Sequence, residues 1–273
     1  MPPKTLYVSD LDGTLLKNDQ TLSKYTIDTL NTLIEHGMIF SYATARSIVS
    51  ASKATAGLNS KIPVILHNGA FVIENRENIL LSGAFSSEEA AEILDTLLTH
   101  QLYPIVYSML NGTEKFSYLP DRETRGMKIF NDTRRSDLRN HSVETPEDLY
   151  QGEIFHITCI DEESSLRPLY EHLDSQYRCV FHRDIYSGEQ WLDIQPKTAT
   201  KAQAITALKS MLGCDRIICF GDGKNDISMF QIADEGYAVE NADEELKRIA
   251  TAVIESNERD GVAKWLTEHF RQA

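Results

Sequence analysis

The sequence predicts an α/β fold: a Rossmann-like parallel sheet core with an inserted α+β cap domain. Two observations predict it. Strand-like and helix-like segments alternate in the first third of the chain and again from Thr200, and such alternation implies parallel strands joined by crossover helices. Between these stretches the pattern changes to hairpin-like strands with few helices. The expected core is residues 1–82 and 189–273, and the expected insert is residues 83–188.

The elements follow in order. Leu6–Ser9 reads as a short apolar strand that ends in acids. Ser23 caps a helix whose apolar stripe is Ile27, Leu30, Leu33 and Ile34, and Gly37 closes it. Met38–Ala43 is a second strand, Ser47–Ala56 a helix, and Pro63–Leu66 a third strand that runs into Asn68-Gly69. Phe71–Ile73 and Ile79–Leu81 read as a hairpin, and Ser87–Thr99 as a helix with Ala91, Leu94, Leu97 and Leu98 inward. Tyr103–Tyr107, Lys115–Leu119, Ile154–Ile160, Arg178–His182 and Trp191–Ile194 are strand candidates, with a helix near Ser164–Leu173. The charged stretch Asp121–Thr145 gives no periodicity. Beyond it, helix and strand alternate again: Lys201–Leu212, Arg216–Phe220, Asn225–Ile232, Gly236–Val239, Asp243–Ala250, Ala252–Ile254 and Asp260–Phe270.

Composition narrows the function. The 273 residues carry 41 acids against 27 bases, a formal charge of −14. Such a chain repels polyanions at long range, so neither nucleic acid nor an anionic membrane is an expected partner. A small phosphate held by local donors remains compatible. Cys159, Cys179, Cys214 and Cys219 form no C-x-x-C pair and read as reduced thiols of a cytoplasmic protein. The run Thr5–Val8 is too short for a signal peptide, and nothing approaches the ~20 apolar residues of a membrane span. Oligomeric state is not legible.

Two acid clusters carry the chemistry. Asp10-Leu11-Asp12-Gly13-Thr14 follows the first strand, and Gly221-Asp222-Gly223-Lys224-Asn225-Asp226 follows the strand at Arg216–Phe220. In extended chain, residues two apart face one side, so Asp10 and Asp12 are expected to share a site. Each cluster alone also fits ordinary turn or capping chemistry. Together they fall at the carboxyl ends of two core strands, the edge where open α/β sheets bind ligands. They offer up to four carboxylates to one divalent cation, and Mg²⁺ takes such oxygens together with substrate phosphate. Ala43-Thr44-Ala45-Arg46 ends the second strand with a hydroxyl and N–H groups suited to a phosphate. Lys201 opens a helix and has a charge to set against a phosphate.

In this order, Asp-Leu-Asp-Gly-Thr, Ala-Thr-Ala-Arg, Lys201 and Gly-Asp-Gly-Lys-Asn-Asp resemble the haloacid dehalogenase superfamily. The match is nearest to its Cof-type phosphatases (capped, subclass IIB), which Asn68-Gly69-Ala70, Asn241-Ala242 and Asn257–Ala263 also resemble. The resemblance spans nearly the whole chain. It implies that Asp10 is the nucleophile and takes the phosphoryl group as an aspartyl phosphate, and that Asp12 is the general acid, then base. It implies a Mg²⁺ cofactor held by Asp10, the backbone carbonyl of Asp12, Asp222 and, directly or through water, Asp226. It implies phosphate or substrate contacts from Leu11, Thr44, Ala45, Arg46, Asn68, Lys201 and Asn225, with Thr44 and Lys201 also counted as catalytic.

Two positions depart from the subfamily pattern: Ala45 stands where Gly is common, and Val239-Glu240 where Met-Gly or Met-Ala is usual. The implied activity is a Mg²⁺-dependent phosphatase acting on small phosphorylated metabolites, sugar phosphates first. The rival readings are a phosphomutase of the same superfamily and a catalytically retired metabolite-binding regulator. The expected cap crossings are Leu81-Ser82-Gly83 and Tyr186-Ser187-Gly188, and His182, Arg183 and Glu189 are its candidate substrate contacts.

Overall fold

In a computed structural model, residues 3–59, 63–75, 78–184 and 188–270 are described. The chain begins with β1 (Thr5–Ser9), whose residues from Leu6 onward are buried. A strand buried on both faces belongs in the interior of a parallel sheet, and β1 is flanked on both sides. It pairs in parallel with β2 (Ile39–Tyr42) on one side and β12 (Arg216–Gly221) on the other. Beyond β12 follow β13 (Glu235–Val239) and β14 (Ala252–Ile254), both parallel, giving the order β14-β13-β12-β1-β2.

Helix α1 (Lys24–Glu35) joins β1 to β2. Ser23 caps it by accepting a hydrogen bond from the Thr26 N–H, as the sequence pattern predicts. Helix α2 (Ile48–Ala54) is capped by Ser47. The strand order turns back between β1 and β12, so their carboxyl ends form the switch point where such sheets bind ligands.

The third predicted strand, β3 (Val64–Leu66), joins the parallel sheet only through a bridge between Ala43 and Ile65. Its ladder is antiparallel, with β4 (Phe71–Glu74), which pairs in turn with β5 (Asn78–Ser82).

The chain divides into one unit of Met1–Ser82 with Thr198–Ala273, and a second of Gly83–Lys197. The first boundary falls at Gly83. The second falls at Lys197, not Gly188, which corrects the expected limit of the insert. The reason is backbone pairing: β11 (Gln190–Gln195) is laddered between β10 (Arg178–Arg183) and β9 (Glu153–Asp161), both strands of the insert. Tyr186 and Ser187 of the expected crossing lie outside the described residues.

The insert holds a six-stranded sheet in the order β10-β11-β9-β6-β7-β8, completed by β6 (Ile105–Leu110), β7 (Thr113–Tyr118) and β8 (Asn140–Ser142). Helices α3 (Ser87–Thr99) and α5 (Glu163–Leu173) share an apolar layer with it through Leu94, Leu97, Leu166 and Leu169. Within the unreadable stretch, α4 (Arg125–Asp132) packs Met127 and Phe130 against Ile105, Phe116 and Ile160.

The chain returns to the first unit through α6 (Lys201–Leu212), ended by Gly213 in the left-handed conformation. It continues through α7 (Ile227–Ile232), α8 (Glu244–Ile249) and α9 (Gly261–His269). Among the described residues no helix is long and apolar enough to cross a membrane, and the four cysteines are free thiols.

Candidate active site

Sheet register builds the site. Ser9 lies level with Phe220 and with Tyr42, so β1, β12 and β2 run out together. Asp10 continues the ladder by one bond, its N–H donating to the Phe220 carbonyl at 2.9 Å. Asp222 is the first residue beyond β12, and Ala43 and Thr44 are the first beyond β2. Thus the acid clusters and the Thr44 turn meet at one edge.

Asp10, Asp222 and Asp226 bring one carboxylate oxygen each to within 4.8 Å of one another. Lys201, at the start of α6 and 2% exposed, donates from Nζ to Asp10 Oδ1 at 2.5 Å and to Asp226 Oδ1 at 2.7 Å. Asp226 Oδ2 accepts the N–H groups of Asp222 and Gly223, each at 3.0 Å. Asp222 Oδ1 accepts from the Thr14 hydroxyl at 3.0 Å. The loop carrying Asp12 approaches so closely that a Cβ at Gly13 (φ +76°) would lie 2.2 Å from Asp222 Oδ2. Only glycine accepts both that backbone and that approach.

The electrostatics follow from burial. Desolvation pushes the Asp10 carboxyl up to about 7, with Lys201 opposing and Asp226 and Asp222 adding to the rise. Burial likewise raises Asp222 to about 6, against the pull of the Thr14 hydrogen bond. Burial also disfavours the charge on Lys201, but Asp10 and Asp226 outweigh it and hold the ammonium above its ordinary range. Three carboxylates therefore face one ammonium, an excess of two negative charges when all ionise. Hard, crowded oxygen donors of this kind suit Mg²⁺, and the raised carboxyls are what a divalent cation would relieve.

Asp12 departs from expectation. Its carboxylate is half exposed and does not join the other three. The strand ends at Ser9, and Asp12 lies in an irregular turn, Leu11–Leu15, in which Gly13 reverses φ. Two-residue alternation does not extend past the strand. Instead Arg46 grips Asp12 with two N–H groups, Nε to Oδ2 at 2.8 Å and Nη2 to Oδ1 at 2.5 Å. The side-chain acids near a cation are thus three, not four.

The other expected residues divide. Thr44 is fully buried, and its Oγ1 accepts from the Arg46 N–H at 3.1 Å. Ala45 is exposed at the same turn. Leu11 is fully buried, so its side chain serves the core and only its backbone is left for a ligand. Asn68 adopts the left-handed conformation (φ 57°), and its N–H donates to the Thr44 carbonyl at 2.8 Å. Its Oδ1 is buried without a hydrogen-bond partner. Asn225 is exposed on the loop after β12 and takes no part in the Lys201 network.

Lys201 was expected to offset phosphate charge; here it holds two of the acids. In the insert, the His182 ring lies 6.0 Å from that of Trp191, Arg183 pairs with Glu163, and Glu189 with Arg125.

Sequence reasoning gave no role to several residues that hold this edge together. Asn241 donates to the Gly13 carbonyl at 2.7 Å, and buried Asn257 donates to the Leu16 carbonyl at 3.0 Å. The two are tied through the Asn257 N–H and Asn241 Oδ1 at 3.1 Å. Asp260 accepts from Ser23 and Thr26 at the start of α1. The motif resemblance marked Asn241, Asn257 and Asp260; their geometry shows them bracing the Asp10–Leu16 turn and α1.

A buried carboxylate, two more acids, a lysine and the Thr44 turn thus meet at a sheet switch point, an arrangement suited to handling a phosphate. The comparisons agree. The model for haloacid dehalogenase-like hydrolases matches residues 7–266, and the chain belongs to that family, in its Cof-type branch. It is an enzyme of the phosphatase class. It is similar to the 5-amino-6-(5-phospho-D-ribitylamino)uracil phosphatase YwtE of Bacillus subtilis, 26% identical over 278 residues, covering 95% of this chain and 96% of the relative. Among solved structures it resembles TM0651 from Thermotoga maritima (TM-score 0.80, 24% identity, 97% of each chain). It also resembles the subclass IIB sugar phosphatase BT4131 (TM-score 0.69, 22% identity, 97% of this chain and 98% of that one).

Proposed function

We propose that the chain is a Mg²⁺-dependent phosphatase that hydrolyses small phosphomonoesters of hydroxylated metabolites, sugar phosphates foremost, in a reducing cytoplasm. The observation that carries the reading is the buried Asp10–Lys201–Asp226 network beside Asp222. A carboxylate fixed by a lysine at a sheet switch point is built to react, not merely to bind.

In this reading an Asp10 oxygen attacks phosphorus and the ester P–O bond breaks. The departing alkoxide takes a proton from Asp12, leaving an aspartyl phosphate. Water then attacks that phosphorus, gives a proton to Asp12, and releases inorganic phosphate with the Asp10 carboxylate restored. Asp10, Asp222 and the Asp12 carbonyl would hold Mg²⁺, with Asp226 in support; the ion would neutralise charge on the phosphoryl oxygens. Thr44, the Ala45 N–H and Lys201 bind the phosphate, helped by the Leu11 backbone and Asn225. Asn68, whose buried Oδ1 lacks a donor, accepts a substrate hydroxyl, with Arg46 nearby.

The substrate class has support from relatives. One is named for a phosphoribitylamino compound and another is called a sugar phosphatase; both names denote a phosphorylated hydroxylated chain. We assign the choice of leaving group to the inserted unit, because the core residues supply phosphate and metal ligands but little else. The test is Asp10→Asn, assayed for phosphate release on a panel of phosphorylated metabolites with Mg²⁺. The amide cannot form the acyl phosphate, so turnover should fall at least about 10³-fold with the fold retained. Near-normal turnover in a deamidation-free sample would remove Asp10 from the chemistry. Transfer of phosphate back to substrate without release would indicate a mutase.

A further inference from the structure

Arg46 does more than pair with Asp12. Its Nη2, which donates to Asp12 Oδ1, also donates to Gln20 Oε1 at 3.0 Å. Gln20 belongs to none of the motifs that mark the site. It stands at the tip of the turn between the irregular Leu11–Leu15 segment and α1, with φ at 64°. A glutamine adopts that conformation only where its surroundings enforce it.

Here they do. The Lys17 N–H donates to the Thr21 carbonyl at 2.9 Å and the Gln20 N–H to the Lys17 carbonyl at 2.8 Å. Asp19 accepts from both the N–H and the hydroxyl of Thr21, at 3.0 and 2.7 Å. On its other side the turn is tied down through the Asn18 N–H to Glu258 at 2.7 Å and Asn257 to Asn18 at 3.1 Å. A side chain on so braced a turn presents its acceptor from a fixed point.

Arg46 needs such a point. Its guanidinium is a planar fork whose two N–H groups meet the two oxygens of Asp12. Rotation about the long side chain would break that match, and Asp12, half exposed, has no other described side chain holding it. We propose that Gln20 is a positioning residue for proton transfer: by fixing the outer edge of Arg46 it keeps the guanidinium on one oxygen of Asp12 while the other oxygen, freed from the fork, carries the proton given to the departing oxygen. This rests on the reading of Asp12 as general acid.

The leaving group gives the test. An acid matters most when the departing oxygen is basic and least when it leaves readily as an anion. Steady-state kinetics of the full chain with Mg²⁺ are compared on phenyl phosphate and 4-nitrophenyl phosphate. Gln20→Ala should lower kcat on phenyl phosphate about 3- to 10-fold, the range of one ordinary hydrogen bond lost at a position open to solvent. It should change 4-nitrophenyl phosphate less than about 2-fold, with KM unaltered on both. Gln20→Glu, which keeps an acceptor oxygen, should restore phenyl phosphate turnover.

Equal loss on the two esters, no loss on either, or failure of Gln20→Glu to restore would overturn the assignment. Asp12→Asn separates this from the parent reading. If it is selectively impaired on phenyl phosphate while Gln20→Ala is not, only the role of Gln20 falls. If Asp12→Asn turns over both esters normally, the acid role of Asp12 is wrong and this inference goes with it.

Discussion

Replacing Lys201 by methionine removes one ammonium and leaves a cavity-free apolar chain of similar length between two carboxylates. Lys201 is 2% exposed, Asp10 5% and Asp226 0%, so water cannot take over the lost bonds at 2.5 and 2.7 Å. Breaking a buried ion pair from one side costs about 3–5 kcal/mol. At about 2–4 °C per kcal/mol for a chain of this class, the melting point falls by roughly 6–20 °C. The loss depends on pH. Asp10 and Asp222 already stand above their unfolded values, at about 7 and about 6. Each contributes stability while protonated and loses that contribution as pH rises through those values. Lys201 is the group that lowers both, so without it the penalty for ionisation grows. The variant should therefore lose the full amount near pH 8 and less than half of it near pH 5. Urea unfolding of the metal-free protein in a Trp191→Phe background, followed by Trp265 fluorescence, reads the correct unit, because Trp265 packs on Phe220 and Tyr237 beside the site. Equal losses at both pH values, or none at pH 8, would refute the argument that Lys201 holds ionised carboxylates.

Gly69→Ala should be severe, since its φ is +107° and a Cβ would sit 2.2 Å from the Thr200 carbonyl oxygen, next to Lys201. A stability loss of about 3 kcal/mol with a marked fall in turnover is expected, whereas Gly37→Ala, also at positive φ but with open space around it, should cost about 1 kcal/mol and leave turnover intact; similar behaviour of the two would show that the close approach does not matter. Mg²⁺ binding should release protons near pH 6, where Asp10 is still largely protonated and Asp222 about half protonated, and almost none near pH 8.5. Titration calorimetry in buffers of different ionisation enthalpy measures this, and no release at pH 6 would contradict the arrangement. Turnover should vanish with chelator and return with Mg²⁺ but poorly with Ca²⁺, whose looser shell misplaces the nucleophile; full activity in excess chelator would reject the metal.

Much of the core was legible because local signals and burial agree there. Ser23 caps the helix it was read as capping, and Asp10, Asp222 and Asp226 do converge. Three things were not legible, each for a physical reason. Helix α4 has only eight residues, and its apolar side chains are Met127, Ile129 and Phe130, too few to show a period; its one clear sign was the Thr124 cap. Strand β11 looked like any half-buried strand, since nothing local says which sheet will pair with it. Asp12 was expected beside Asp10 because alternation was carried past Ser9, where the strand stops. Its real partner, Arg46, lies 34 positions away, and Gln20 becomes visible only through Arg46.

The hydrogen-bond inventory also separates three acids that the sequence presents as equivalents. Asp226 accepts two loop N–H groups on one oxygen and Lys201 on the other. Of the roughly four acceptor positions on a carboxylate, it has little left for a metal or a phosphate. Its charge holds the Gly221–Gly223 loop and the ammonium, so in the proposed reading it supports the ion at most indirectly. Asp222 accepts one side-chain hydroxyl and is partly open, which leaves oxygens free for a cation. Among the described residues, the Asp10 carboxylate accepts only the Lys201 ammonium, at Oδ1, and its second oxygen has no side-chain hydrogen-bond partner. Burial raises the cost of its charge, yet it must be ionised to react. Lys201 opposes that cost, and a divalent ion beside Asp222 would act in the same direction. Asp10 and Asp222 accept one hydrogen bond each and keep oxygens free, whereas Asp226, with three, is the frame that holds the lysine; in the proposed reading it is Asp10 that attacks phosphorus.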